Sequence, residues 1–200
     1  KSISGGYAVH EIVFFRGLFA LPLVLVIVHF DSGLGALKLG SLRLQLFRSA
    51  AGFTSYLVYY MALATLGMAE TASITFSTPL FVTIMAVPFL GETIGWQRWA
   101  AVCIGLLGVV VMMQPGMGVF EPASLLALMA AISYASAIIA TRKLGNTTNG
   151  GTVTLFSTVF FMLCGGVLGL IFAGAESGSA HPSVAFLFHP WVWPEGRDWR

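Results

Sequence analysis

Arg16, with Glu11 five positions before it, puts a guanidinium inside an otherwise apolar run. A charge within a membrane helix costs at least about 2.5–3.5 kcal/mol on insertion scales. It therefore faces a partner or a water-filled cavity, where it can hold a polar solute, or its stem carries it out to the headgroups. Five residues of helix amount to only about 7.5 Å of depth, so both readings stand. Ser49, Phe53, Tyr56 and Tyr60 follow one another at helical spacing and share a face. Tyrosine faces offer flat contact and cation–π attraction, with phenol hydroxyls for orientation, although helix packing explains the same stripe. The stretch FSTPLFVTIMAVPFLGE, residues 76–92, carries two prolines inside what otherwise reads as buried helix. Pro79 offers no N–H to the Thr75 carbonyl and Pro88 none to that of Ile84, so each ring bends the helix and frees an acceptor. Thr71, Thr75 and Thr78 on one face, and Ser73 and Ser77 on roughly the opposite one, can meet such acceptors or a neighbouring helix.

Other chemistry finds no support. There is no HExxH, no GxSxG and no pair of membrane-embedded carboxylates, so neither a metal nor a nucleophile has a visible partner, and no enzyme activity or cofactor is expected. Cys103 and Cys164 both sit in apolar runs, where packing is the expected role.

The elements that must carry these residues are set by composition. Of 200 residues 57% are hydrophobic and 9% charged. The mean hydropathy is +0.87. A soluble domain carries about 25% charged residues, so the chain reads as an all-α, polytopic membrane protein. The net charge of +2 comes from scattered Lys and Arg rather than a basic cluster, which argues against nucleic acid as a partner. A bilayer core of about 30 Å needs about 20 apolar residues of helix. Runs of that kind fall near 12–30, 47–66, 70–90, 97–113, 122–141 and 153–173, which predicts six transmembrane helices. Trp191, Trp193 and Trp199 in the tail have the character of interfacial anchors.

Charge orients the runs. The connections after the first, third and fifth hold Lys38, Arg43, Arg48, Arg98, Arg142 and Lys143, whereas those after the second and fourth hold no Lys or Arg. By the positive-inside rule the former face the cytoplasm, with Glu70 and Glu121 outside. The stretch from Lys1 also aligns without a gap on the stretch from Lys143, setting Phe14 on Phe156 and Arg16 on Thr158. The first helix would run inward and the sixth outward, as an inverted repeat of five helices requires.

The series E-I-V-F-F-R-G at 11–17, Y-Y-M-A-L at 59–63, P-L-F at 79–81 with L-G-E at 90–92, W-x-x-A-x-x-I-G-x-x-G-V at 99–110 and Q-P-G from Gln114 resembles the EamA-type members of the drug/metabolite transporter superfamily over about residues 8–175. The resemblance implies ten transmembrane helices in two inverted five-helix halves, a bacterial inner-membrane location and movement of small organic metabolites without a cofactor. By that template the chain carries helices two to seven. Residues 1–119 are then the rest of the first repeat and 120–200 the start of the second. Arg16 matches the family's second-helix motif, and a bent, polar-lined third run suits a cavity that opens alternately to each side. The expected substrate pathway comprises Arg16, Tyr56, Tyr60, Thr75, Thr78, Pro79 and, on the fifth run beside Ser133 and Ser136, Tyr134. The partners implied are a small-molecule substrate such as an amino acid, S-adenosylmethionine or an amphipathic drug, the lipid bilayer, and a second copy in a homodimer. A membrane-embedded structural or assembly role without transport is the alternative.

Overall fold

The computed structural model describes residues 9–31, 40–113, 123–145 and 147–172. The tail tryptophans, Lys38, Glu121 and the Q-P-G turn lie outside the described residues. Each apolar run is helical, and the third is two helices. In chain order they are α1 Val9–Asp31, α2 Leu42–Leu66, α3 Met68–Thr75, α4 Thr78–Leu90, α5 Trp96–Met113, α6 Ala123–Leu144 and α7 Gly150–Phe172. Among the described residues there is no strand. Four spans are long and apolar enough to cross a membrane: Glu11–Phe30, Met68–Leu90 (α3 with α4), Ala123–Leu144 and Gly150–Ile171. The apolar part of α5 is shorter. α2 carries Arg43, Gln45 and Arg48 in its first two turns and three tyrosines further on, which dilutes its hydropathy. The protein is a multi-pass, all-α membrane protein.

The helix boundaries have local causes. Gly67, at φ 83°, turns the chain between α2 and α3, a backbone conformation that costs glycine nothing. Gly91, at φ 68°, closes α4. Its N–H donates to Val87 O at 3.1 Å, the bond of an αL cap, and that of Glu92 donates to Ala86 O at 3.4 Å.

The third run breaks one turn earlier than a bend at Pro79 would imply. The Phe76 N–H still donates to Ala72 O at 3.0 Å, but that of Ser77 reaches Ile74 O at 3.0 Å, a tighter turn that ends α3. Pro79 then lies in the first turn of α4, a position that accommodates proline. The reason is steric: the ring conflicts with the preceding turn, so the chain yields there and restarts with the proline inside a first turn.

The chain divides into two compact units. In the unit of residues 38–153, α6 packs against α2, α3 and α4. Its buried face is built of alanines, among them Ala123, Ala127, Ala130, Ala131 and Ala135, which let backbones approach closely. Val82 and Ala86 of α4 pack with Ala135 and Ile139. Ala62 and Ile74 pack with Ala127. The other unit contains α1 and α7. There Gly17 admits Met162 so closely that a Cβ would lie 2.9 Å from the methionine Cβ, and Gly166 receives the Phe14 ring.

Candidate functional site

Two polar residues of α2 bond across to α6. Arg48 Nε donates to Thr141 Oγ1 on α6 at 2.7 Å. Thr141 Oγ1 donates in turn to Ala137 O at 2.7 Å. Two turns further along α2, Ser55 Oγ donates to Ala130 O at 2.8 Å and is buried. As α2 numbers rise the α6 partners fall, so the helices run antiparallel, tied at two heights. Gln45, Ser49 and Phe53 are buried as well.

The aromatic stripe survives in its upper half. Tyr56 and Tyr60 are half-buried, with ring centroids 4.7 Å apart and planes tilted by 42°. Tyr59 meets Tyr60 edge-on at 5.7 Å. Three phenol rings thus gather within two turns of α2. Tyr134 of α6 is 53% exposed. Its neighbour Ser136 donates to Ile132 O at 2.9 Å.

The hydroxyls of the third span turn back on their own backbone. Thr71 Oγ1 reaches Gly67 O at 2.7 Å, and Ser73 Oγ reaches Ala69 O at 2.8 Å. Thr75 Oγ1 is shared between Thr71 O and Ala72 O at 3.0 and 2.9 Å. Ser77 Oγ donates to Ile74 O at 2.7 Å. Thr78 Oγ1 donates to Thr75 O at 2.7 Å, so the carbonyl that Pro79 cannot serve is capped by the residue beside it. Thr71 and Ser77 are buried, whereas Thr75 and Thr78 are half-buried.

Of the residues singled out in the sequence, Tyr56 and Tyr60 are in ring contact, and Thr75, Thr78 and Pro79 form one connected turn. Arg16 is exposed on α1 and belongs to the other unit. The sequence reading passed over the Arg48–Thr141 bond; Arg48 at the edge of its run reads as a connection charge, and nothing local couples it to a threonine 93 positions away. It also passed over the ion pair between Arg142 Nη1 and Glu92 Oε1, at 3.5 Å, which joins the ends of α4 and α6. At the same end of this unit Gly40 packs against Thr148. The start of α2 and the ends of α4 and α6 therefore lie on one side of this unit. Among the described residues no group of three His, Cys, Asp or Glu side chains gathers that could hold a metal ion.

Residues 1–114 match the model of the EamA-like transporter family. The chain belongs to that family. An S-adenosylmethionine uptake transporter of Rickettsia felis is 34% identical over 133 residues, covering 66% of this chain and 45% of the relative. A riboflavin transporter of Rhizobium johnstonii is 28% identical over 125 residues, 62% of this chain and 40% of the relative. A pseudopaline exporter of Pseudomonas aeruginosa is 26% identical over 145 residues, 72% and 50% respectively. The EamA-like chain thus spans about half the length of the curated relatives it matches. These relatives are transporters, not enzymes. No solved structure matches the chain.

Proposed function

We propose that this EamA-like chain forms part of a secondary transporter of small organic metabolites in the bacterial inner membrane, working by alternating access. The observation that carries the reading is the tyrosine cluster of α2, half-buried in a helix tied to α6 by buried or part-buried polar bonds. Buried hydroxyls in lipid must find partners, and those that meet another helix hold the wall of a path in register. Phenol rings 4.7 Å apart offer a surface for a flat, conjugated solute. S-adenosylmethionine and riboflavin, named for two of the relatives, each carry a fused heteroaromatic ring, which suits such a surface. Arg16, Thr75, Thr78, Pro79 and Tyr134 complete the proposed pathway.

Residues 1–119 belong, in this reading, to the first five-helix repeat and 120–200 to the second. Shifting α1 by the 142 positions that set Lys1 on Lys143 lands within one residue of both ends of α7, and each helix has 23 residues. The basic connections are assigned to the cytoplasm.

The test is uptake of radiolabelled S-adenosylmethionine and riboflavin into a transport-deficient host expressing the full-length protein. One of them, or a solute with a comparable ring, is expected to accumulate or to be expelled. Tyr56→Ala and Tyr60→Ala should each lower the rate by up to about tenfold at unchanged membrane expression, the loss of one stacking contact of about 0.5–1.5 kcal/mol. A protein that moves no solute in either direction yet remains folded would favour the structural role.

A further inference from the structure

α4 and α5 form a helical hairpin whose arms touch where Gly105 faces Leu80. A Cβ at Gly105 would come within 2.6 Å of Leu80 Cδ1, so only glycine admits this approach without displacing the leucine. Between that contact and the connecting loop the arms part, leaving a cleft of about 380 Å³ to which α6 contributes Arg142. The volume lies within the range of about 300–1,000 Å³ typical of ligand clefts. Along α4 its wall runs from Pro79 to Ala86, about 10 Å of helix. Apart from Thr83 that wall is apolar, and Ala101 and Val102 of α5 face the same space.

The mouth is different. It is formed by Glu92, Arg98 and Arg142. Arg142 pairs with Glu92, while Arg98 makes no ion pair with the described residues, so one positive charge is left over. Trp96 and Trp99 beside Arg98 are 78% and 41% exposed, the disposition of aromatic residues at a membrane interface. All of these groups sit at or beside helix ends: Glu92 just past α4, Trp96, Arg98 and Trp99 in the first turn of α5, and Arg142 in the last turn of α6.

We infer that this cleft binds an anionic phospholipid, its phosphodiester at Arg98 and Arg142 and an acyl chain in the slot between α4 and α5. Three features together favour this occupant. Away from its mouth the slot is about 10 Å long and, apart from Thr83, lined by apolar side chains, which fits the upper part of a hydrocarbon chain. Its charged mouth lies at helix ends, where headgroups lie. The surplus of one positive charge matches the single negative charge of a phosphodiester, and Glu92 disfavours a more highly charged anion. Basic pockets between membrane helices hold lipid headgroups by the same electrostatics.

The experiment uses the full-length protein, extracted from vesicles of equal phosphatidylglycerol and phosphatidylethanolamine and examined by native mass spectrometry. Phosphatidylglycerol should be retained over phosphatidylethanolamine by about fivefold, the preference that one Lys or Arg near the headgroups gives. Arg98→Gln should remove most of that preference and Arg98→Lys preserve it. Ala101→Phe, which fills the slot and leaves the charges in place, should also lose bound lipid. Equal retention of the two lipids, undiminished phosphatidylglycerol in Ala101→Phe, or its displacement by millimolar inorganic phosphate would each overturn the assignment, the last by pointing to a free-phosphate site.

Discussion

The third span keeps its hydroxyl bonds within its own stretch of chain, whereas the α2–α6 contact includes polar bonds from one helix to the other. In α3 and α4 five hydroxyls from Thr71 to Thr78 donate to carbonyls of their own strand of chain, none more than four residues away. Between α2 and α6, Ser55 and Arg48 donate across to partners 75 and 93 positions away. Self-satisfied hydroxyls hold no neighbouring helix, so none of these hydroxyl bonds has to be exchanged when the span moves. Cross-helix bonds lock a register. The α2–α6 contact therefore has the character of a fixed wall, and the interrupted third span that of an element able to change its bend.

The largest effect is expected at the wall. Thr141→Val keeps the shape but removes the acceptor of the Arg48 bond, and a hydrogen bond to a charged group is worth about 1.5–3 kcal/mol. Unfolding of the full-length protein in mixed micelles should show a loss of that order. A stability unchanged by the substitution would mean that Arg48 does not tie the two helices.

An intermediate effect is expected at the break. Thr78→Ala should leave the Thr75 carbonyl without the hydroxyl that caps it, a cost of about 1 kcal/mol. Pro79→Ala in the same protein should recover most of it, since residue 79 then supplies an N–H to that carbonyl. The two substitutions would thus be non-additive, and simple additivity in a double-mutant cycle would argue against the capping account. The recovered bond should also straighten the span and lower transport.

Smaller effects sharpen the contrast between the regions. Ser55→Ala should cost about 0.6 kcal/mol, the average for interhelical polar bonds in a membrane protein. Ser73→Ala, whose hydroxyl only doubles back on its own helix, should fall within about 0.5 kcal/mol of no change. If the order of the two is reversed, the distinction between wall and moving element fails.

The legible part of this structure was the part governed by one-dimensional pattern. Runs of apolar residues gave the helices to within a few residues at most ends, because a run of about 20 apolar residues without alternation can satisfy its backbone in lipid only as a helix. The spacing of Tyr56 and Tyr60 predicted their contact for an equally local reason, i and i+4 being neighbours on a helix. The prolines announced irregularity in the third run, but the sequence could not show that the chain would give way at Phe76 and Ser77 rather than bend at Pro79. That depends on a balance between ring strain and one hydroxyl cap. Arg48–Thr141, Ser55–Ala130 and Glu92–Arg142 were hidden, since each is a product of how distant helices dock. The alanine face of α6 carries the packing that sets those registers.

The tyrosine face of α2 as substrate path is tested most directly by protection of a cysteine that leaves all three rings in place. Ala64 lies one turn beyond Tyr60 on the same face and is exposed. In the full-length protein with Cys103 and Cys164 replaced, Ala64→Cys should react with a small maleimide several-fold more slowly when the transported solute is present. A cysteine at Ile104, which is 70% exposed on α5, should react at the same rate with and without it. Equal modification of the residue-64 cysteine in both conditions, in a protein that still transports, would place the path elsewhere.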